Sequence, residues 1–295
     1  MKKLTVATSS AALFDLKQSD RVYKEEGLEA YSKYQLAREN EPLSPGRAFS
    51  LIEKLLNLNT LLENPDRVEV ILLSRNTSDT GLRVFKSIEH HNLSISRAAF
   101  TGGTKPHRYM AAFGVDLFLS TEQADVVEAL EDGKAAASIL SSSLPSSRRE
   151  DIRFAFDGDA VLFSDEAEEE YQKNGLEDFL SSEKNLANVP LQGGPFRSFV
   201  ESLNQLKSEF MGDRDPIRTA LVTARSSPAH ERVVKTLRSW GMSVDESLFL
   251  GGMEKAAFLK SYGADIFFDD QAEHCRIASE TVLAGHVPSG VKNQD

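Results

Sequence analysis

The run "FAFDGDAVLF", Phe154 to Phe163, ends a strand-like apolar stretch on two acids, Asp157 and Asp159, with Gly158 between them. Downstream, "TALVTARSS" ends a second apolar run on Thr223, Lys255 follows a double glycine, and "IFFDD" ends a third run on Asp269 and Asp270. Carboxylates at the carboxyl ends of neighbouring strands would converge on one sheet edge. They would repel each other there unless a cation sat among them. Hard oxygen ligands select magnesium over zinc, and magnesium recruits one or two carboxylates plus a substrate phosphate. A carboxylate beside such an ion can attack phosphorus and form an aspartyl-phosphate. The metal and a lysine would neutralise the transferring group. Thr223 offers a hydroxyl to a phosphate oxygen, and Lys255 offers a fixed positive charge. Gly158 lets the backbone pass close to the metal. Asp159 can then face the leaving oxygen as general acid and later activate water as base.

Each of these residues has a plainer reading when taken alone. Asp157 and Asp159 could form a turn, Thr223 could cap a helix, Lys255 could be a solvated surface lysine, and Asp270 could accept from a backbone N–H. Their order along the chain carries the catalytic reading.

The elements that must position these residues are written twice. "GLEAYSKYQLARENEPLSPG" (Gly27 to Gly46) aligns without a gap with "GLEDFLSSEKNLANVPLQGG" (Gly175 to Gly194). "LLSRNTSDTGLRVFKSI" aligns with "LVTARSSPAHERVVKTL", and Gly102-Gly103 with Gly251-Gly252. The copies lie roughly 150 residues apart, a spacing that marks a repeated unit. The Ser-rich segment Ser141 to Asp151 reads as a linker. This predicts two units, residues 1–142 and 151–295.

In each unit a β-rich run ("LTVATSSAALF"; "IRFAFDGDAVLF") comes first, then a polar helical insert, an amphipathic helix, a buried strand, another helix and a short strand. Alternating strands and helices predict an α/β fold with parallel sheets covered on both faces. Ligands in such folds sit at the carboxyl ends of strands. "EDGKAAAS" and "DEAEEEY" read as solvated helix faces, and Trp240 as core. The acids and the lysine belong to the second copy only. Thr8 to Ala11, Ser74, Pro106 and Ser120-Thr121 stand in the matching places of the first.

Composition narrows the function. A 295-residue chain can bury one large core or two ordinary ones. A net charge of −11 argues against a nucleic-acid or anionic-membrane surface. A single cysteine, Cys275, excludes an internal disulfide and fits a reducing, cytoplasmic compartment. The opening "MKKLTVATSSAALF" is a poor leader, because Thr5, Thr8, Ser9 and Ser10 interrupt its apolar run. No apolar stretch approaches the ~20 residues of a membrane span.

"DGDAVLF" followed by "VTAR", a lysine and "FFDD" resembles the haloacid dehalogenase superfamily of phosphatases. "FAFDGDAVLFSDE", "TALVTARSS", "KTLRSWGM", "IFFDDQ" and "HVPSGV", with "YQLARENEPLSPG" and "TGG" in the first half, resemble the cytosolic 5'-nucleotidase I family over nearly the whole chain.

The resemblance implies tandem haloacid-dehalogenase-like units, with the second active under a small cap of about residues 164–210. It implies magnesium-dependent hydrolysis of nucleoside 5'-monophosphates, with AMP favoured. Asp157 would be the nucleophile and Asp159 the general acid/base. Thr223 and Lys255, with Ala224 and Gly158, would bind phosphate. The metal ligands would be Asp157, the Asp159 main-chain oxygen and one of Asp269 and Asp270.

Arg225 has two readings, a phosphate or nucleotide contact and a structural salt bridge. Phe163, Phe179, Lys184 and Asn188 are candidate nucleotide contacts, against core packing or plain exposure. His274 and His286 receive no role. The first half is expected to be a silent copy that packs against the site or helps shape it. Rival functions are hydrolysis of another small phosphate ester and non-catalytic nucleotide binding. A homo-oligomer is compatible with all of these.

Overall fold

The computed structural model describes residues 2–62, 66–140, 149–210 and 215–293. Most of the expected linker, Ser141 to Asp151, lies outside the described residues. The strands are β1 (Leu4–Thr8), β2 (Val68–Ser74), β3 (Arg97–Phe100), β4 (Leu117–Ser120), β5 (Ala135–Ile139), β6 (Ile152–Phe156), β7 (Ile217–Thr223), β8 (Glu246–Phe249), β9 (Ile266–Asp269) and β10 (Ala284–His286). They form one 10-stranded sheet in the order β3-β2-β1-β4-β5-β10-β9-β6-β7-β8. Read inward from either edge, the two halves have the same order, so the sequence repeat reappears as a repeat of strand positions. Every pairing is parallel except β5 with β10, which run antiparallel and join the halves.

The strands are apolar runs because both faces of the sheet are covered. Successive side chains alternate between the faces. Phe154 and Phe156 of β6 point to one side, where Phe196, Phe199 and Phe268 meet them; the Phe196 and Phe268 ring centroids are 4.6 Å apart. Ala155 and Phe267 point to the other side, with Leu259 and Cys275. The first of these clusters runs continuously from Leu4 and Val6 to Phe268, so one core spans both halves. Across the seam, Lys54 Nζ donates to Asp265 Oδ1 at 2.8 Å, and Arg67 Nε donates to Glu209 Oε2 at 2.6 Å.

Two expectations change. The run "LTVATSSAALF" is not strand throughout: β1 stops at Thr8, and Ser9 Oγ accepts from Ala12 N at 3.2 Å to cap a one-turn helix, Ser10–Leu13. "EDGKAAAS" is not a helix face. Gly133, at φ 71°, ends the helix Gln123–Glu131, and Ala135 to Ile139 enter the sheet as buried β5. Alanine is the strongest helix former, but propensity is a small effect that tertiary packing overrides here. "DEAEEEY" does lie at the start of a helix, Glu166–Asn185.

The polar inserts match in detail. The helix Lys17–Ala37 breaks at Gly27 (φ 85°, ψ −175°), and Glu166–Asn185 breaks at Gly175 (φ 82°, ψ −179°). That backbone conformation is open to glycine and strained for other residues. Both inserts return to the sheet at a glycine pressed against main chain. A Cβ on Gly194 would stand 2.3 Å from the Phe163 carbonyl oxygen, and one on Gly46 would stand 2.7 Å from the Phe14 backbone. Neither neighbour is a side chain that can swing away. Gly194→Ala should therefore destabilise the protein by about 3 kcal/mol, read as a lower urea midpoint. An unchanged midpoint would mean that this return tolerates a wider backbone separation.

Candidate functional site

Asp157 continues β6 by one residue, its N–H donating to the Phe268 carbonyl of β9 at 2.8 Å. The chain then folds into a tight turn over Gly158–Leu162, closed by Phe163 N donating to Gly158 O at 2.8 Å. Ala160 sits at φ 59° inside it, an uncommon conformation for a residue with a side chain. Gly158 packs closely against Thr223: a Cβ there would come 3.1 Å from Thr223 Oγ1, a tight contact. β7 lies beside β6 in parallel and ends on Thr223, whose hydroxyl accepts from Arg225 N at 3.2 Å. β9 flanks β6 on its other side and ends on Asp269, with Asp270 next. Three adjacent strands thus deliver Asp157, Thr223 and the Asp269-Asp270 pair to one rim.

Asp157, Asp269 and Asp270 each place a carboxylate oxygen within 4.8 Å of the other two, and all three residues are buried. Lys255, also buried, stands between two of them. Its Nζ lies 2.8 Å from Asp157 Oδ1 and 2.6 Å from Asp269 Oδ2. Asp269 is further held by Gln271 N at 2.8 Å and by His274 Nδ1 at 3.2 Å. Among the described residues, none donates a hydrogen bond to the Asp270 carboxylate. Its backbone is instead fixed, its carbonyl meeting His286 Nε2 at 3.0 Å and Asn293 Nδ2 at 2.9 Å.

The pKa shifts follow this arrangement. Burial pushes Asp270 up to about 9, with Asp157 and Asp269 adding repulsion. Burial also raises Asp157, to about 6, against the pull of Lys255. Burial would raise Asp269 too, but Lys255 and His274 outweigh it and hold Asp269 below the ordinary value. Burial works against the Lys255 charge, yet Asp157 and Asp269 keep its pKa above normal. One lysine therefore does not balance three acids. A buried carboxylate with no donor, beside two others, is the donor set that suits a hard divalent cation.

The remaining expected residues divide. Thr223, Ala224 and Gly158 lie at the acid cluster, and Ala224 lines the small cleft over it with Asp157, Asp159 and Asp270. The Asp159 carboxylate turns to Arg225, which grips it through Nε at 3.0 Å and Nη2 at 2.6 Å. Arg225 thus makes the salt bridge that was one of its two readings.

Phe163 does not reach the cleft. It is fully buried, with its ring centroid 5.5 Å from that of Trp240. Lys184 and Asn188 are exposed and line no part of the cleft, and Asn188 Oδ1 accepts from Lys235 at 2.7 Å. A larger cavity of about 850 Å³ lies away from the acids, at the seam around Arg47, Lys54 and Asp265. The unbalanced charge, not cavity size, marks the site.

Sequence reasoning missed Glu183, Arg232, His274, His286 and Asn293. Only His286 had a pointer, the quoted "HVPSGV". The first half fills the corresponding rim with neutral groups: Ser10 Oγ lies 2.8 Å from Ser74 Oγ and donates to Asn76 Oδ1 at 3.0 Å.

The model of the 5'-nucleotidase family matches residues 1–294, essentially the whole chain. The chain belongs to the 5'-nucleotidase family. It is 38% identical over 282 residues to human cytosolic 5'-nucleotidase 1B, an alignment that covers 92% of this chain and 46% of that protein. The chain thus spans about half the length of this relative. No solved structure matches it. Among the described residues, no helix is long and apolar enough to cross a membrane.

The shift on Asp270 has a stability consequence. A carboxyl raised from 3.8 to about 9 on folding holds its proton more tightly in the folded state. Stability then falls as pH rises between those two values. In chelator, Asp270→Asn should melt at least about 3 °C above the wild type at pH 8, with a much smaller gain at pH 5. Added magnesium should narrow the difference. An equal gain at both pH values would show that the Asp270 charge is not the cost.

Proposed function

We propose that the protein is a magnesium-dependent 5'-nucleotidase that hydrolyses nucleoside 5'-monophosphates through an aspartyl-phosphate at Asp157. The observation that carries this is the convergence of Asp157, Asp269 and Asp270 within 4.8 Å, with Lys255 bridging two of them, in a member of the 5'-nucleotidase family. The named relative is a cytosolic enzyme, which supports a cytoplasmic setting. The resemblance of the motifs makes AMP the first substrate to assay. We read the halves, 1–142 and 151–295, as tandem haloacid-dehalogenase-like units, supported by their common strand order. The second is active, and the helix Glu166–Asn185 forms the body of its small cap.

Asp157 and Asp270 would hold the cation with the Asp159 main-chain oxygen. Asp269, already committed to Lys255, Gln271 and His274, supports them. Bound there, magnesium supplies positive charge to the phosphoryl oxygens. The Asp157 carboxylate attacks phosphorus, and the bond from phosphorus to the ribose 5'-oxygen breaks. Asp159 gives its proton to that oxygen and the nucleoside leaves. Asp159 then takes a proton from water, whose oxygen attacks phosphorus and frees Asp157 and phosphate. Thr223 donates its hydroxyl to a phosphate oxygen, while Lys255 balances charge and keeps the nucleophile in line. The burial that raises Asp157 strips water from the attacking oxygen.

Asp157→Asn should lower phosphate release from AMP by roughly a thousandfold or more while the protein stays folded. The check is a phosphate assay over a panel of nucleoside monophosphates and sugar phosphates, with and without magnesium. Full turnover by the variant would remove Asp157 as nucleophile. Equal rates on sugar phosphates would favour a broader phosphatase, and saturable AMP binding without release would favour a non-catalytic binder.

A further inference from the structure

The buried charges next to the acid cluster form a chain that leads away from the sheet. Arg225 grips Asp159 with two nitrogens and uses its third, Nη1, on Glu183 Oε2 at 2.5 Å. The other oxygen of Glu183 accepts from Arg232 Nη1 at 2.6 Å, and Arg232 Nε donates to the Val189 carbonyl at 2.8 Å. Glu183, Arg225 and Arg232 are all buried, at 2%, 5% and 7% exposure. Glu183 lies on the helix Glu166–Asn185, Arg232 on the helix His230–Ser239, and Asp159 in the turn after β6. The chain therefore links the cap helix to the proposed acid through a single guanidinium. The Arg225 guanidinium also faces the Phe179 ring of the same helix, 5.8 Å from its centroid.

The first half is a built-in control. Where Glu183, Arg225 and Arg232 stand, it has Gln35, Asn76 and Arg83. Arg83 Nη1 donates to Gln35 Oε1 at 2.9 Å, and Arg83 Nε to the Glu41 carbonyl at 2.9 Å, reproducing the two contacts of Arg232. The counterpart of Arg225, Asn76, also reaches the kinked helix, its Nδ2 donating to Tyr31 Oη at 3.2 Å, and Gln35 Nε2 donates to the same hydroxyl at 3.2 Å. One arginine and neutral groups are thus enough to seat a kinked helix of this kind. The charges of Glu183 and Arg225 exceed what seating requires. They occur in the half that has Asp159 and are replaced in the half that lacks it. A buried carboxylate shared by two arginines is costly unless its geometry is exact for some purpose. A planar fork gripping a carboxylate fixes orientation as well as charge.

We propose that Arg225 and Glu183 are positioning residues that set the orientation of the Asp159 carboxylate, so that the seating of the Glu166–Asn185 helix is coupled to the acid it covers. This rests on the reading of Asp159 as general acid/base. Neither residue touches the reacting atoms; each acts through Asp159. Glu183→Gln recreates the contact seen in the first half and keeps the Arg232 anchor, so the helix stays seated while the hold on Arg225 weakens.

Arg225→Gln, Glu183→Gln and the double variant are compared with the wild type in steady-state AMP hydrolysis and in hydrogen exchange of the intact protein. Arg225→Gln should lower kcat by about 10- to 100-fold and Glu183→Gln by about 3- to 10-fold, with KM within about threefold of wild type. The double variant should be no slower than Arg225→Gln alone, because Glu183 acts only through Arg225. Exchange should rise in the turn 158–162 in Arg225→Gln, and in Glu183→Gln to a lesser degree. Arg225→Lys, which keeps the charge and loses the fork, replaces Arg225→Gln if that variant does not fold.

Unchanged kcat in either single variant, additive losses in the double, or unchanged exchange in the turn would each overturn the coupling. A wild-type protein that releases no phosphate would instead sink the nucleotidase reading, and the exchange arm would then decide the coupling by itself.

Discussion

Three carboxylates, Asp157, Asp269 and Asp270, share a space of 4.8 Å at the rim of the sheet, and the fold sets one ammonium, Lys255, among them. This imbalance constrains everything around it. Lys255 can stand 2.8 Å and 2.6 Å from two of the acids because it opens the helix Ala256–Tyr262, whose start lies beside the ends of β6 and β9. Those strands are adjacent because Phe154, Ala155 and Phe156 pair with Ile266, Phe267 and Phe268. The aromatic layer beneath, with Phe156 stacked on Phe268 at 5.6 Å, leaves the acids no inward route of retreat. The rim is held in an electrostatically unfavourable arrangement by a core that is favourable in every other respect. A functional site of this kind draws on the stability of its scaffold.

The duplicated sheet shows which parts belong to the scaffold. Both halves keep the strand order, the broken insert helix and the glycine return against main chain. They part company at the rim. In the first half, serine and asparagine hydroxyls and amides bond one another where the second half sets full charges. Neutral hydrogen-bonded groups need no ion to complete them, so the first half closes on itself and the second does not. Because β5 and β10 are joined and one core runs through both halves, the quiet half still supports the charged one mechanically.

Much of this was legible in the residues. Strands over buried runs such as "VEVILLS" and "RTALVTA", the parallel sheet and the acids at strand ends follow from alternation and from where polar residues interrupt it. The repeat could be read because the two copies still share glycines at matched positions. The route taken by "LTVATSSAALF" was not legible, since a serine cap competes there with strand propensity, nor was the fate of "EDGKAAAS", where alanines that suit a helix lie buried in β5. Phe163 had core packing as its other reading, and it lies in the core; its partner in space, Trp240, is 77 positions along the chain, and no local pattern announces that pairing. Glu183 and Arg232 were hidden for the same reason. A buried glutamate in a helix otherwise rich in exposed acids has no local signature.

Asp269 and Asp270 are neighbours with the same side chain, and the surroundings make them unlike. Asp269 accepts from a lysine, a histidine and a backbone N–H, so its charge is matched and its oxygens are committed. Asp270 has its carbonyl pinned by His286 and Asn293, while its carboxylate is left to face Asp157. Burial with no donor raises the second, and burial outweighed by Lys255 and His274 leaves the first lowered. Position along a strand end, and not residue type, therefore decides which acid serves the lysine and which remains open to a cation. His286 and Asn293 fix the main chain from which the Asp270 side chain springs and leave its carboxylate unengaged.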